Sequence, residues 1–104
     1  MRCGINNDMS SDHGRKQLHA FFSGRVQGVG FRYTVCELAS SFAVTGFVKN
    51  LWDGDVELVA EGAHQELVDF LNRIRTSRLG RGIVQVRVGW NEASDRFKQF
   101  GIEF

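Results

Sequence analysis

The chain has 104 residues, 42% hydrophobic and 24% charged, with a formal net charge of +1. Those numbers suit a single domain large enough for a real core. They exclude a nucleic-acid binder that relies on a strong basic excess, and no apolar run approaches the length of a membrane span.

The first sixteen residues are polar and lack the apolar region of a secretory signal. They are expected to form a flexible extension to a domain over residues 17–104, with the cytoplasm as the expected location. Cys3 and Cys36 lie far apart with no metal-ligand or redox spacing. Two free thiols in a reducing compartment is therefore the expectation, ahead of a lone disulfide.

Gln17 to Ser23 (QLHAFFS) alternates Leu18, Ala20 and Phe22 with His19, Phe21 and Ser23, the period of a strand. A glycine-rich turn follows, Gly24 to Gly30. Beyond it Phe31, Val35, Leu38, Ala39 and Phe42 form one apolar stripe of a helix of about three turns. Val44 to Trp52 returns to β-prone residues, and Asp53-Gly54 signals a hairpin. Asp55 to Glu61 alternates again, with Val56, Leu58 and Ala60 on one face. Leu67, Phe70, Leu71 and Ile74 mark a second amphipathic helix within Ala63 to Thr76. From Ile83, residues Val84, Val86, Val88 and Trp90 share one strand face. After a loop at Asn91 to Asp95, Phe100, Ile102 and Phe104 alternate in a last short strand.

The order βαββαβ plus a C-terminal strand predicts an α+β fold, a mostly antiparallel sheet with both helices on one face, in the split-βαβ arrangement.

GRVQGVGFRYT (Gly24 to Thr34) concentrates the unusual chemistry. A strand, a glycine turn and a helix start make an anion site, because glycines let backbone N–H groups converge and the helix start adds unpaired N–H groups and its dipole. Arg32 falls in the first helical turn, where a cation is disfavoured unless an anion lies beside it; its planar fork matches a phosphate. Spacing alone leaves a second reading open: a tight strand–helix turn with Arg32 in solvent. Neither the P-loop pattern nor a complete G-x-G-x-x-G is present.

Asn50 is the second oddity, since Asn is depleted in strands. In a split-βαβ sheet the end of its strand lies at the same edge as the glycine turn, about 10 Å away across one strand. The alternative is that Asn50 only prepares the Asp53-Gly54 turn.

VQGVGFR (Val26 to Arg32) together with GFVKNLWDGDVELVAEG (Gly46 to Gly62) resembles the acylphosphatase family in both signature patterns, their order and their separation. The resemblance covers about Gln17 to Phe104. It implies a ferredoxin-like α/β sandwich and hydrolysis of the carboxyl–phosphate bond of acyl phosphates without metal or cofactor. By position it makes Arg32 the phosphate-binding arginine and Asn50 the residue that positions the attacking water. Gly24, Arg25, Val26, Gln27, Gly28, Val29 and Gly30 match the backbone phosphate cradle. The implied partner is a small acyl phosphate, with no nucleic acid or membrane, and a monomer is expected. The chain departs from the family at its end, Ile102-Glu103-Phe104, where a basic residue and tyrosine are common. It also lacks the proline often found in the loop Arg78 to Gly82.

The chemistry asks for few residues: a carboxylate leaves readily, so the task is to neutralise phosphoryl charge and align a water. His13, His19 and His64 form no ligand cluster. Cys36, one turn beyond Arg32, is set aside as a nucleophile because the cradle surrounds the arginine. Two other readings keep the fold without turnover. One is a domain that binds acyl or carbamoyl phosphate; the other is an RNA-binding module using Phe21, Phe47 and Trp52, which the near-neutral charge disfavours.

Overall fold

The structure, a computed structural model, describes residues 15–28 and 30–104. Strand β1 (Arg15–Gly24) begins two residues before the expected boundary. Lys16 pairs with both Gly62 and Glu92 across the sheet, which draws the chain in early. The rest of the expected N-terminal extension, with Cys3 and His13, lies outside the described residues.

The alternation of β1 sends Leu18, Ala20 and Phe22 into the core, each fully buried. Helix α1 (Phe31–Ala39) buries Phe31, Val35 and Ala39 on its stripe. It is shorter than the stripe suggested: Phe42 lies past its end and packs its ring on Phe70 at 5.6 Å. Strands β2 (Thr45–Asn50) and β3 (Val56–Ala63) form the expected hairpin. Its turn is wider than a two-residue type, with Leu51 N–H bonded to the Asp55 carbonyl at 2.8 Å and φ of +100° at Gly54. Helix α2 (His64–Thr76) buries Leu67, Phe70 and Ile74, and closes with Arg73 and Arg75 where cations favour the dipole. Each fully buried Leu or Phe contributes roughly 1.5–3 kcal/mol.

The chain then makes a 3-10 turn, Arg78–Gly82, enters β4 (Ile83–Glu92) and ends with β5 (Phe100–Glu103). The sheet order is β4-β1-β3-β2-β5, antiparallel except for the β2–β5 pair. This is the expected ferredoxin-like α+β sandwich with a fifth strand added. Helix α2 packs mainly on β1 and β3 and α1 on β2 and β5, so the edge strand β4 is the least covered, with His64 at the start of α2 packing its ring on Trp90 at 4.8 Å. The shared face of Val84, Val86, Val88 and Trp90 is consequently only partly covered; Val84 is 83% exposed.

Because β4 and β5 occupy opposite edges, the segment 93–99 must cross the sheet. It crosses at the end where Glu61 lies, and that glutamate becomes fully buried. Among the described residues no helix is long and apolar enough to cross a membrane.

Candidate active site

Strands β1 and β2 run parallel with β3 between them, so their C-terminal ends lie at one sheet edge. Phe22, Val56 and Asn50 stand in register across those three strands, which puts the Asn50 side chain on the helix-bearing face with Phe22. The loop that leaves β1 at Gly24 delivers the chain to α1 on that same face.

Val26 anchors the loop with a fully buried side chain. Gly30 caps α1 in the left-handed region, φ +76° and ψ +20°, a conformation glycine adopts without steric cost. No side chain caps this helix start and no acidic residue stands in its first turn. The first helical bond runs from Thr34 N–H to the Gly30 carbonyl at 3.0 Å. The N–H groups of Phe31, Arg32 and Tyr33 precede it, without helical partners, at the end where the dipole favours an anion.

Gly28, Gly30, Arg32 and Asn50 line one cavity of about 100 Å³. The two residues singled out eighteen positions apart in the sequence thus share a wall. Asn50 Oδ1 is buried with no hydrogen-bond partner among the described residues. An unpartnered buried acceptor costs about 1–3 kcal/mol, a cost that a donor entering the cavity offsets.

Two of the seven loop residues bond to segments outside the loop. Arg25 N–H donates to the Gly82 carbonyl at 2.8 Å, so that amide is occupied and only the exposed side chain is free. Gln27 acts through its side chain: Nε2 donates to the carbonyls of Leu51 at 2.6 Å and Asp55 at 2.8 Å. It ties the glycine loop to the hairpin that follows Asn50. Val29 lies outside the described residues.

Two further contacts were not visible in the spacing. Arg78 donates from Nη2 to Thr34 Oγ1 at 2.8 Å, and a Cβ on Gly30 would stand 3.6 Å from that nitrogen. The run of Arg75, Arg78 and Arg81, repeating every three residues, was the available signal. Phe104, expected only as a strand residue, places its ring centre 5.1 Å from the guanidinium carbon of Arg32.

Burial pushes the Cys36 thiol above its ordinary pKa, which disfavours the thiolate a cysteine nucleophile requires. Among the described residues no three of His, Cys, Asp and Glu converge at a metal-binding spacing. Of the three aromatics of the RNA-binding alternative, Phe21 and Phe47 are half-buried on the sheet face away from the helices, and Trp52 is fully exposed just beyond β2. Arg87 lies over the ring of Phe21 at 5.0 Å and Phe97 packs on Phe47 at 5.9 Å.

The sequence model of the acylphosphatase family matches residues 18–102. The acylphosphatase of Caldanaerobacter subterraneus subsp. tengcongensis is 38% identical over 88 residues, covering 85% of this chain and 98% of that protein. The acylphosphatase of Methanospirillum hungatei is 46% identical over 72 residues, covering 69% and 77%. The crystal structure of acylphosphatase from Bacillus subtilis superposes with a TM-score of 0.76 at 32% identity, covering 86% of this chain and 99% of that one. The chain belongs to the acylphosphatase family and is an enzyme that hydrolyses small acyl phosphates.

Proposed function

We propose that this member of the acylphosphatase family holds the phosphoryl group between the Arg32 guanidinium and the N–H groups at the start of α1, and that Asn50 orients the water that attacks it. The observation that carries the reading is the single cavity lined by Gly28, Gly30, Arg32 and Asn50. An anion there is held by the unpaired N–H groups of an uncapped helix start and by a guanidinium able to bind it bidentately. The unpartnered Asn50 Oδ1 is an acceptor for a water proton.

In the step itself the water oxygen forms a bond to phosphorus while the bond from phosphorus to the acyl oxygen breaks. The bonding pair leaves on the carboxylate. The proton lost by the attacking water passes to a phosphoryl oxygen or to solvent. The leaving carboxylate is a weak base, so no general acid is needed. Fixed donors aimed at the developing charge supply the stabilisation that a metal supplies elsewhere. All the named groups come from one chain, and the reading is of a monomer acting in the cytoplasm without metal or cofactor.

The test is Asn50→Ala on benzoyl phosphate, with inorganic phosphate as a competitive inhibitor. The expected result is a kcat lowered by about a hundredfold, on the scale of one lost catalytic hydrogen bond, with the inhibition constant for phosphate retained. A variant altered in KM alone contradicts a water-orienting role.

A further inference from the structure

Arg25, Arg78 and Arg81 line a second cleft, of about 520 Å³, directly beside the phosphoryl cavity. The two are joined through the chain. Arg25 belongs to the glycine loop and is tied by its N–H to Gly82 at the far wall of the cleft. Arg78 reaches from that wall to Thr34, alongside Gly30. All three arginines are exposed. The ion pairs among the described residues are Arg15–Asp95, Lys16–Glu92, His19–Glu57 and Arg87–Asp55. None involves these three, so three positive side chains line one cleft with no carboxylate of the described residues paired to them. Such an arrangement is unfavourable when empty and favourable around an anion.

We propose that this cleft is a second anion subsite, which makes the enzyme select acyl phosphates whose acyl chain carries its own negative group, a carboxylate or a phosphate. The inference rests on the placement of the phosphoryl group described above. With that group held against Arg32 and the start of α1, the acyl chain must leave a cavity of about 100 Å³. The larger cleft adjoins it. Val84, 83% exposed and also on the cleft wall, offers apolar contact for the chain's methylene groups. The arginines beyond receive its terminal charge.

A matched pair of substrates tests this: hexanoyl phosphate, and the monophosphate of hexanedioic acid, which has a carboxylate in place of the terminal methyl. The readout is the ratio of kcat/KM for the diacid over the monoacid. We expect about tenfold or more in the wild type, the scale of one charge-assisted hydrogen bond. In Arg78→Gln/Arg81→Gln the ratio falls close to one, and in Arg81→Gln alone it falls partway. Arg96→Gln removes the same charge at the opposite end of the sheet and keeps the wild-type ratio. A wild-type ratio near one, or a ratio that survives the double substitution, overturns the subsite while hydrolysis of hexanoyl phosphate leaves the phosphoryl site standing. An equal loss in Arg96→Gln also overturns it, in favour of a general field. Failure to hydrolyse either substrate overturns the phosphoryl placement and the subsite with it.

Discussion

The ring of Phe104, the last residue of the chain, lies against the guanidinium of Arg32 with 5.1 Å between ring centre and guanidinium carbon. The ring is 91% exposed, so it is held there by little else. β5 pairs with β2, Lys49 opposite Glu103, and this brings the chain's end to the sheet edge where Asn50 ends β2. The fifth strand therefore reaches the site.

A guanidinium over an exposed aromatic face gains about 0.5–1 kcal/mol. Phe104→Ala should consequently raise KM for benzoyl phosphate by about two- to fivefold with kcat nearly unchanged, while Phe104→Tyr should match the wild type. Steady-state kinetics of the two variants check this. An unchanged KM in Phe104→Ala would show that Arg32 keeps its position without the ring.

Gln27 bridges the two halves of the site through its two short bonds to Leu51 and Asp55. Gln27→Ala should lose about 1 kcal/mol of stability per bond and lower kcat/KM, because the loop and the Asn50 end of β2 are no longer fixed to one another. Gln27→Glu is nearly isosteric but turns oxygens toward two carbonyls. It should be worse than alanine on both counts, and urea unfolding alongside kinetics checks the order. If glutamate is tolerated better than alanine, the bridge does not hold the site together.

Glu61 makes a pH signature at the other end of the sheet. Burial alone would push its carboxyl up, but hydrogen bonds from Ser94 N–H, the Gln17 amide, Ser94 Oγ and Asp95 N–H outweigh burial and hold its pKa below the ordinary 4.5. A depressed folded value means that the unfolded chain takes up the proton first. The stabilisation is therefore fully present above pH 4.5 and is lost as pH falls through the folded value. Glu61→Gln should cost on the order of 2–4 kcal/mol near neutral pH, since one amide nitrogen then faces donors. It should also flatten the fall in stability below pH 4.5. Activity per folded molecule at neutral pH should not change. Denaturant unfolding across pH 3–7 checks this, and a variant with the wild-type acid limb would assign that limb to another carboxylate.

Most of this arrangement could be read from local pattern. Period-two runs gave β1 and β3, the 3.6-residue stripes gave both helices, and glycines before Arg32 marked the uncapped helix start. Asn50 stood out because an amide at the end of an apolar strand has no reason to be there in isolation, and topology placed it at the same edge as the loop. Side chains that act at a distance left no such trace. Gln27 looks like any polar loop residue until the hairpin it holds is in place. Arg78 gains its meaning only from Thr34, forty-four positions away. Glu61 lies on the strand face opposite Leu58 and Ala60, where period two predicts solvent. It is buried because segment 93–99 must cross the sheet to bring β5 to the far edge, a constraint of topology that no window of sequence contains. The exposure of Val84 has the same origin, since alternation reports a face but not whether a helix covers it.

In the proposed site Arg32 and the start of α1 hold the phosphoryl group. The measurement that bears on it most directly is hydrolysis of benzoyl phosphate in the presence of EDTA, wild type beside Arg32→Ala, with circular dichroism to establish that both are folded. The expected result is turnover by the wild type and a fall of at least about a hundredfold in kcat/KM for the variant, on the order of 3 kcal/mol of lost transition-state stabilisation. A folded Arg32→Ala that hydrolyses the substrate as fast as the wild type would contradict it.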